Sequence, residues 1–247
     1  MTEHPILFSG PMVQAILDGH KMMTRRVVKF PYAPKMVGSA YNLGHQSAFP
    51  ASKGGWIFYT CPAEFVTIRM QEGEGLLCPY GQPGDRLWVR EAWRVGAWAE
   101  DDGKIAVDYK AGPICRTKWL TVPDPDKFND LWEGSTQEAE VAYGIKERYK
   151  WKPGESPCRW RPSLFMPRWA SRITLEITAV RVERVQDISE EDVEAEGLAL
   201  QSWAGEDLEG WPKTAGFAQL WDSLNAKRGY GWEANPWVWV IAFKRVK

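Results

Sequence analysis

The sequence predicts an α+β protein: a small, partly closed β-barrel with helices against it. Two segments carry that expectation. "SRITLEITAVRVERVQDI" alternates apolar and polar residues at Ile173, Leu175 and Ile177, then continues through Val180, Val182 and Val185. That is the period-two pattern of a half-buried strand. The chain ends on a second strand, "NPWVWVIAFKRVK". Short strands with few helices between them suit a small curled sheet carrying helices.

The elements follow in order. Residues 5–19 read as a short strand, "ILF", and then a helix with Pro11 in its first turn, where a missing N–H costs nothing. Met12, Ala15 and Ile16 share one helical face, widened by Val13 and Leu17, and Gly19 is suited to the position after the helix. Residues 30–82 are rich in Gly, Pro, Ser and Tyr and read as an irregular insertion, with strands near "GWIFYTC" and "EFVTIRM". Pro83, Gly84 and Asp85 make a turn into strand-like residues Leu87, Val89, Trp93 and Val95. "KIAVDYKA" is another strand, and a second insertion spans about 96–165, with a short helix near "PDKFNDLWEG". After the long strand, "ISEEDVEAEGL" reads as a helix capped by Ser189, with Asp192 third in the helix, Ile188 and Val193 at the staple positions and Gly197 as its stop. "TAGFAQLWDSLNAKRG" is a further helix with Phe217, Leu220, Trp221 and Leu224 on one face.

The 247 residues are 44% hydrophobic and 26% charged, an ordinary composition for a globular protein. A net charge of −1 supplies no whole-protein attraction for nucleic acid, so any such binding needs a local patch. No apolar run is long enough to span a membrane, and "MTEHPILFSG" lacks the pattern of a signal peptide. A cytoplasmic protein without a membrane partner is expected. Cys61, Cys78, Cys115 and Cys158 form no CxxC pair and read as packing thiols, with a four-cysteine zinc site as the alternative that their spacing does not support. There is no HExxH, no histidine cluster and no paired-aspartate motif, so neither metal nor cofactor is expected. The outlying feature is 15 Trp, several beside arginine, as in "CRWRPSLFMPRWASR". Such pairs either pack the fold or grip phosphate and stack bases. On the second view Arg159, Arg161, Arg168 and Arg172, with Trp160 and Trp169, form an extended, proline-stiffened phosphate grip.

The segment "AILDGHKMMTRRVVK" places Lys21, Thr24, Arg25 and Arg26 directly after a helix stop. It is either a solvated turn or a small polar site. Positions 21 and 24 of a regular strand face opposite ways, so both line one pocket only if residues 20–23 turn.

Four segments in this order resemble the ASCH domain of the PUA-like superfamily, in particular the longer phage- and prophage-encoded proteins: "ILDGHKMMTRR", "PGDRLWVRE", "ITAVRVERVQDISEEDVEAEGL" and "WVWVIAFKRV". They cover roughly a third of the chain. The resemblance implies a single PUA-like domain over 1–247, interrupted by the two insertions. It also implies the chemistry of the small bacterial N4-acetylcytidine amidohydrolases of this family. Their Lys-x-x-Thr-x-Arg motif falls here on Lys21, Thr24 and Arg26, and their glutamate on Glu196. His20 stands where the family usually has arginine, and the insertions have no counterpart in the small enzymes.

The implied roles are chemically coherent. Thr24 is the nucleophile, Lys21 its base once its pKa is lowered by burial and by Arg25 and Arg26, and Glu196 the general acid at a helix C-terminus. His20, Arg25, Arg26, Arg168 and Trp169 are the candidate substrate-binding residues. The expected partner is a modified cytidine, as nucleoside or within RNA or DNA. The competing functions are a non-catalytic PUA-like module that holds RNA or a modified base, and a ribonuclease. The trio is expected to lie outside the core.

Overall fold

The computed structural model describes residues 1–29, 47–50, 56–59, 76–112, 118–146, 148–198 and 213–246. The elements are β1 (Glu3–Leu7), α1 (Gly10–Leu17), β2 (Met23–Val27), β3 (Ser47–Pro50), β4 (Trp56–Tyr59), β5 (Arg86–Arg90), β6 (Trp93–Ala99), β7 (Lys104–Tyr109), β8 (Lys118–Thr121), α2 (Pro125–Tyr143), β9 (Thr174–Arg184), α3 (Glu190–Ala195), α4 (Lys213–Asn225) and β10 (Trp237–Arg245). The strands form a five-stranded mixed sheet in the order β1-β5-β9-β10-β2, an antiparallel sheet β6-β7-β8, and the antiparallel pair β3-β4. The α+β class agrees with the sequence. Among the described residues the edge strands β1 and β2 do not pair with each other, and no closed barrel forms. No helix among them is long and apolar enough to cross a membrane.

The chain clusters into two compact units. The first contains Met1–Thr2, His20–Asp85 and Glu176–Lys244. Its described core gathers Val185, Ile188, Val193, Phe217, Trp221, Val238 and Val240, with Met23 and Val27 packed against them. The expected caps of α3 are present. Ser189 accepts a hydrogen bond from the Asp192 amide at 3.2 Å, and Gly197 takes a positive φ of 80° just after the helix. Ile188 and Val193 are both buried, as a staple requires. α4 buries Phe217 and Trp221, whereas Leu224, placed on the same face by its spacing, is 45% exposed. A short 3-10 helix, Ala226–Arg228, follows α4 directly. β4 coincides with "GWIFYTC"; "EFVTIRM" and the cysteines Cys61 and Cys115 lie outside the described residues.

The second unit contains Glu3–Gly19, Arg86–Leu175 and Arg245–Lys247. α1 starts with proline in its first turn and buries Val13 and Ile16, with Met12 only half-buried. α2 is longer than the short helix expected. Asp124 caps it by accepting from the Asp126 and Lys127 amides, and no breaker stronger than Gly134 interrupts it before Gly144, where φ is 73°. Phe128, Ser135 and Ala139 form its buried stripe. The 159–172 segment is not wholly extended: Pro162 and Pro167 each precede one 3-10 turn, Ser163–Phe165 and Arg168–Ala170. Trp93, Val95, Ile105, Val107, Tyr109 and Met166 fill the core, together with Cys158. Burial raises the Cys158 thiol and pushes Cys78, half-buried in the first unit, up to about 11, as suits packing thiols.

A buried ion pair runs through this core. Asp108 is fully buried and its carboxylate meets Arg94 Nε at 3.1 Å. Gly96, where the β6–β7 register shifts, leaves the room for it: a Cβ there would stand 2.5 Å from Asp108 Oδ1. Gly96→Ala is therefore expected to lower unfolding stability by about 1–3 kcal/mol, the usual range for overpacking, read as a lower urea midpoint with an unchanged m-value.

Candidate active site

α1 ends at Leu17 with Asp18 as its C-cap, Gly19 then takes a φ of 80°, and the next residues do not enter a strand at once. Lys21 makes an isolated bridge to Glu196. Met22 is fastened on both sides, its N–H donating to Ala195 O at 2.8 Å and its carbonyl accepting from the Phe243 amide at 2.9 Å. Regular pairing with β10 begins at Met23. The segment thus departs from regular strand geometry over residues 20–22.

The register of β2 on β10 sorts the next side chains. Arg25 and Val27 oppose Val240 and Val238, on the face of the first unit's core. Thr24 and Arg26 oppose Ile241 and Trp239, on the other face. Thr24 is buried there, at 3% exposure.

Lys21 and Glu196 are in direct contact. The Lys21 ammonium donates to Glu196 Oε2 at 2.6 Å and to the Glu196 carbonyl at 2.8 Å. Both residues are buried, at 3% and 8% exposure, which excludes the solvated-turn reading. Glu196 occupies the C-cap of α3, so its carbonyl is one of those left over at a helix end and the lysine satisfies it. Burial lowers the Lys21 pKa below its ordinary value; Glu196 opposes the shift, and Arg26 and Arg25 add to it.

Arg25 holds the rest together. Its Nε and Nη2 donate to Glu183 Oε1 at 3.0 and 2.5 Å, Nη2 also to Asp192 Oδ2 at 2.5 Å, and Nη1 to Glu196 Oε1 at 3.3 Å. Phe217 lies under the guanidinium, with 5.8 Å from Cζ to the ring centroid. Burial works against the charge of Arg25, but Glu196, Glu183 and Asp192 raise its pKa on balance. Arg181 flanks the same carboxylates, with Nε 3.0 Å from Glu183 Oε2 and a bond to Asp192. Burial lowers the Arg26 pKa, opposed by Tyr80 and Glu196. Four cations, Lys21, Arg25, Arg26 and Arg181, thus accompany three carboxylates, Glu183, Asp192 and Glu196, an excess of one positive charge.

The remaining sequence-assigned residues are placed differently. His20 is exposed at the start of the segment. Arg168 and Trp169 belong to the second unit. There Arg168 forms a two-pronged pair with Glu3 at 2.8 and 2.9 Å, and Trp169 packs edge-on against Trp93 at 6.1 Å. The other arginines of that segment are also engaged: Arg159 and Arg161 with Glu138, and Arg172 with Glu91 through two 2.8 Å bonds. Glu183, Asp192 and Arg181 were not singled out from the sequence. The signal was present: Asp192, already placed in the first turn of α3, stands one turn before Glu196. An open cleft of about 800 Å³ in the second unit, whose walls include Gly10, Ala92 and Gly112, contains none of the sequence-assigned residues. Among the described residues no group of His, Cys, Asp or Glu is arranged to hold a metal.

Comparisons with protein-family models, with curated proteins and with solved structures find no match.

The cluster makes a stability statement. Arg25→Leu removes the one cation that all three carboxylates share and leaves buried negative charge uncompensated. It is expected to cost about 3–5 kcal/mol, measured by chemical denaturation. A loss below about 1 kcal/mol would mean that the carboxylates are solvated in solution.

Proposed function

We propose that the chain is an amidohydrolase that removes the acyl group from N4-acylated cytosine, on a PUA-like fold of the ASCH type. The observation that carries this reading is the buried contact of Lys21 with Glu196, from two of the segments that resemble the family, with Thr24 buried on the adjoining strand. Amide hydrolysis needs a neutral base and a proton donor in one place. A proton passed along the 2.6 Å bond from Lys21 to Glu196 creates both at once, with no change in net charge.

The steps then balance. The Lys21 amine takes the Thr24 hydroxyl proton as Oγ1 attacks the acyl carbonyl. Glu196 donates its proton to N4 as the C–N bond breaks and cytosine leaves. Glu196 next accepts a proton from water as that water attacks the threonyl ester. The acid departs, and the proton restores the Thr24 hydroxyl. The single excess positive charge of the cluster, with Arg26 nearest to supplying it on the Thr24 face, favours the oxyanion that develops on the acyl carbonyl.

A second reading is a pocket that holds a modified base without reaction. The saturation of Glu196 favours it, since Lys21 and Arg25 each already hold one of its oxygens.

Hydrolysis of N4-acetylcytidine separates the two. Lys21→Met, Thr24→Val and Glu196→Gln are each expected to lower kcat/KM by roughly 100-fold or more. The trio is buried rather than outside the core, so substitution at Lys21 or Glu196 also perturbs stability, and thermal melts must accompany the assays. Thr24→Val keeps the shape of the side chain and is the cleanest of the three; full activity there rules out the threonine nucleophile. Wild-type protein that binds acylated cytidines and hydrolyses none of them establishes the second reading.

The pH profile follows from Lys21. The active form is the pair with one shared proton, as neutral Lys21 amine beside protonated Glu196. The Lys21 pKa is lowered from 10.5, so kcat/KM is expected to fall with rising pH from a point below 10.5, as that proton is lost and Glu196 has none to donate. A plateau that persists through pH 10.5 would leave Lys21 with an ordinary pKa and remove it as the base.

A further inference from the structure

Just past α2, the second unit carries the run "KERYKWK", residues 146–152. It contains four cations, Lys146, Arg148, Lys150 and Lys152, and one acid, Glu147, whose placement lies outside the described residues. All four cations are exposed. Among the described residues none of them forms an ion pair. The arginines of 159–172 differ in this respect, each being held by a glutamate of its own unit.

Tyr149 and Trp151 alternate with these cations, and both rings are held in place. Trp151 Nε1 donates to the Gly96 carbonyl. The Tyr149 hydroxyl donates to Gly144 O at 3.3 Å and accepts from the Lys146 amide at 3.4 Å. Trp98 packs near edge-on to Trp151 at 5.6 Å, and Tyr143, 45% exposed, lies 6.4 Å from Trp151 with the planes 19° apart. The result is a partly exposed group of fixed aromatic rings beside a row of cations.

We propose that this strip docks single-stranded nucleic acid. Every base has a face that stacks on an aromatic ring, and the backbone brings one phosphate per nucleotide to the interleaved cations. A duplex keeps its base faces stacked and cannot use the rings. A quaternary ammonium ligand is disfavoured by the four surrounding positive charges, and Lys146 Nζ already lies 5.4 Å from the Tyr143 ring centroid. The strip stands out against a chain of net charge −1, so the attraction is local. The proposal does not rest on the amidohydrolase reading.

The test uses the full chain and fluorescein-labelled oligouridylate and oligothymidylate of about 12 nucleotides. Affinity is read by anisotropy across salt concentration. Four phosphate contacts predict a slope of log K on log salt of about −2.8, and Lys150→Gln with Lys152→Gln is expected to flatten it by about 1.4. Both residues are exposed, so the double variant should keep the wild-type melting temperature. Arg159→Gln with Arg168→Gln should leave the slope unchanged. No binding at low salt overturns the proposal. So does an unchanged slope in the Lys150/Lys152 variant, or flattening only in the Arg159/Arg168 variant, which places the grip on 159–172. Binding to phosphatidylserine vesicles without oligonucleotide binding makes the strip a membrane contact instead.

Discussion

The first unit depends on one guanidinium. Arg25 is buried, and a buried charge persists only where its own hydrogen-bonding groups and those of its counter-ions are satisfied. Its partners come from two elements: Glu183 near the end of β9, and Asp192 and Glu196 one turn apart on α3 and its C-cap. β2 must therefore run where Arg25 can reach both, and α3 must present its acidic face inward. The apolar packing of Val193 and Phe217 and the carboxylates converging on Arg25 act on α3 together. Lys21 inherits its surroundings from this arrangement. It is buried because the segment before β2 is drawn against the end of α3, where Glu196 offers it both a carboxylate and an orphan carbonyl.

The second unit solves its own charge problem in a related way. Arg94 meets Asp108, and Arg172 meets Glu91, whose carboxyl pKa stays raised by burial although Arg172 and the Ala111 amide oppose the shift. Aromatic rings complete the shells: Trp160 faces Arg94 at 4.5 Å and Tyr109 faces Arg172 at 4.3 Å. Trp93 does the same for Arg161 at 5.5 Å, and Trp88 for Arg90 at 4.6 Å. Much of the tryptophan beside arginine is therefore architecture. An apolar face with a negative quadrupole covers one side of a guanidinium while a carboxylate or carbonyl meets its edge.

These interactions mark what the sequence can and cannot disclose. Caps and strands that depend on neighbours in the chain were legible: the Ser189 cap, the turns at Gly19 and Gly197, the alternation of β9 and the apolar run of β10. Lys21 and Glu196 were named together and are in contact. Their burial was not legible, because a lysine beside two arginines has the composition of a solvated face. Only partners some 158 to 175 positions away make burial tolerable. β8, with three of its four residues exposed, carries no alternation to find. α2 outran its expected length because a helix continues until something stops it, and the stop is Gly144.

The same reasoning separates the cations of the chain by what they can still do. A guanidinium already facing a carboxylate has little field left for a phosphate. Arg159, Arg161, Arg168 and Arg172 each face Glu138, Glu3 or Glu91 within the second unit. Proximity in sequence to tryptophan does not distinguish the two roles, since both use it. The presence of an acid across the fold does. Among the described residues Lys146, Arg148, Lys150 and Lys152 face no carboxylate, which leaves their charge for solvent or for a partner. They follow α2, past the stripe of Phe128, Ser135 and Ala139 that anchors the helix to the core.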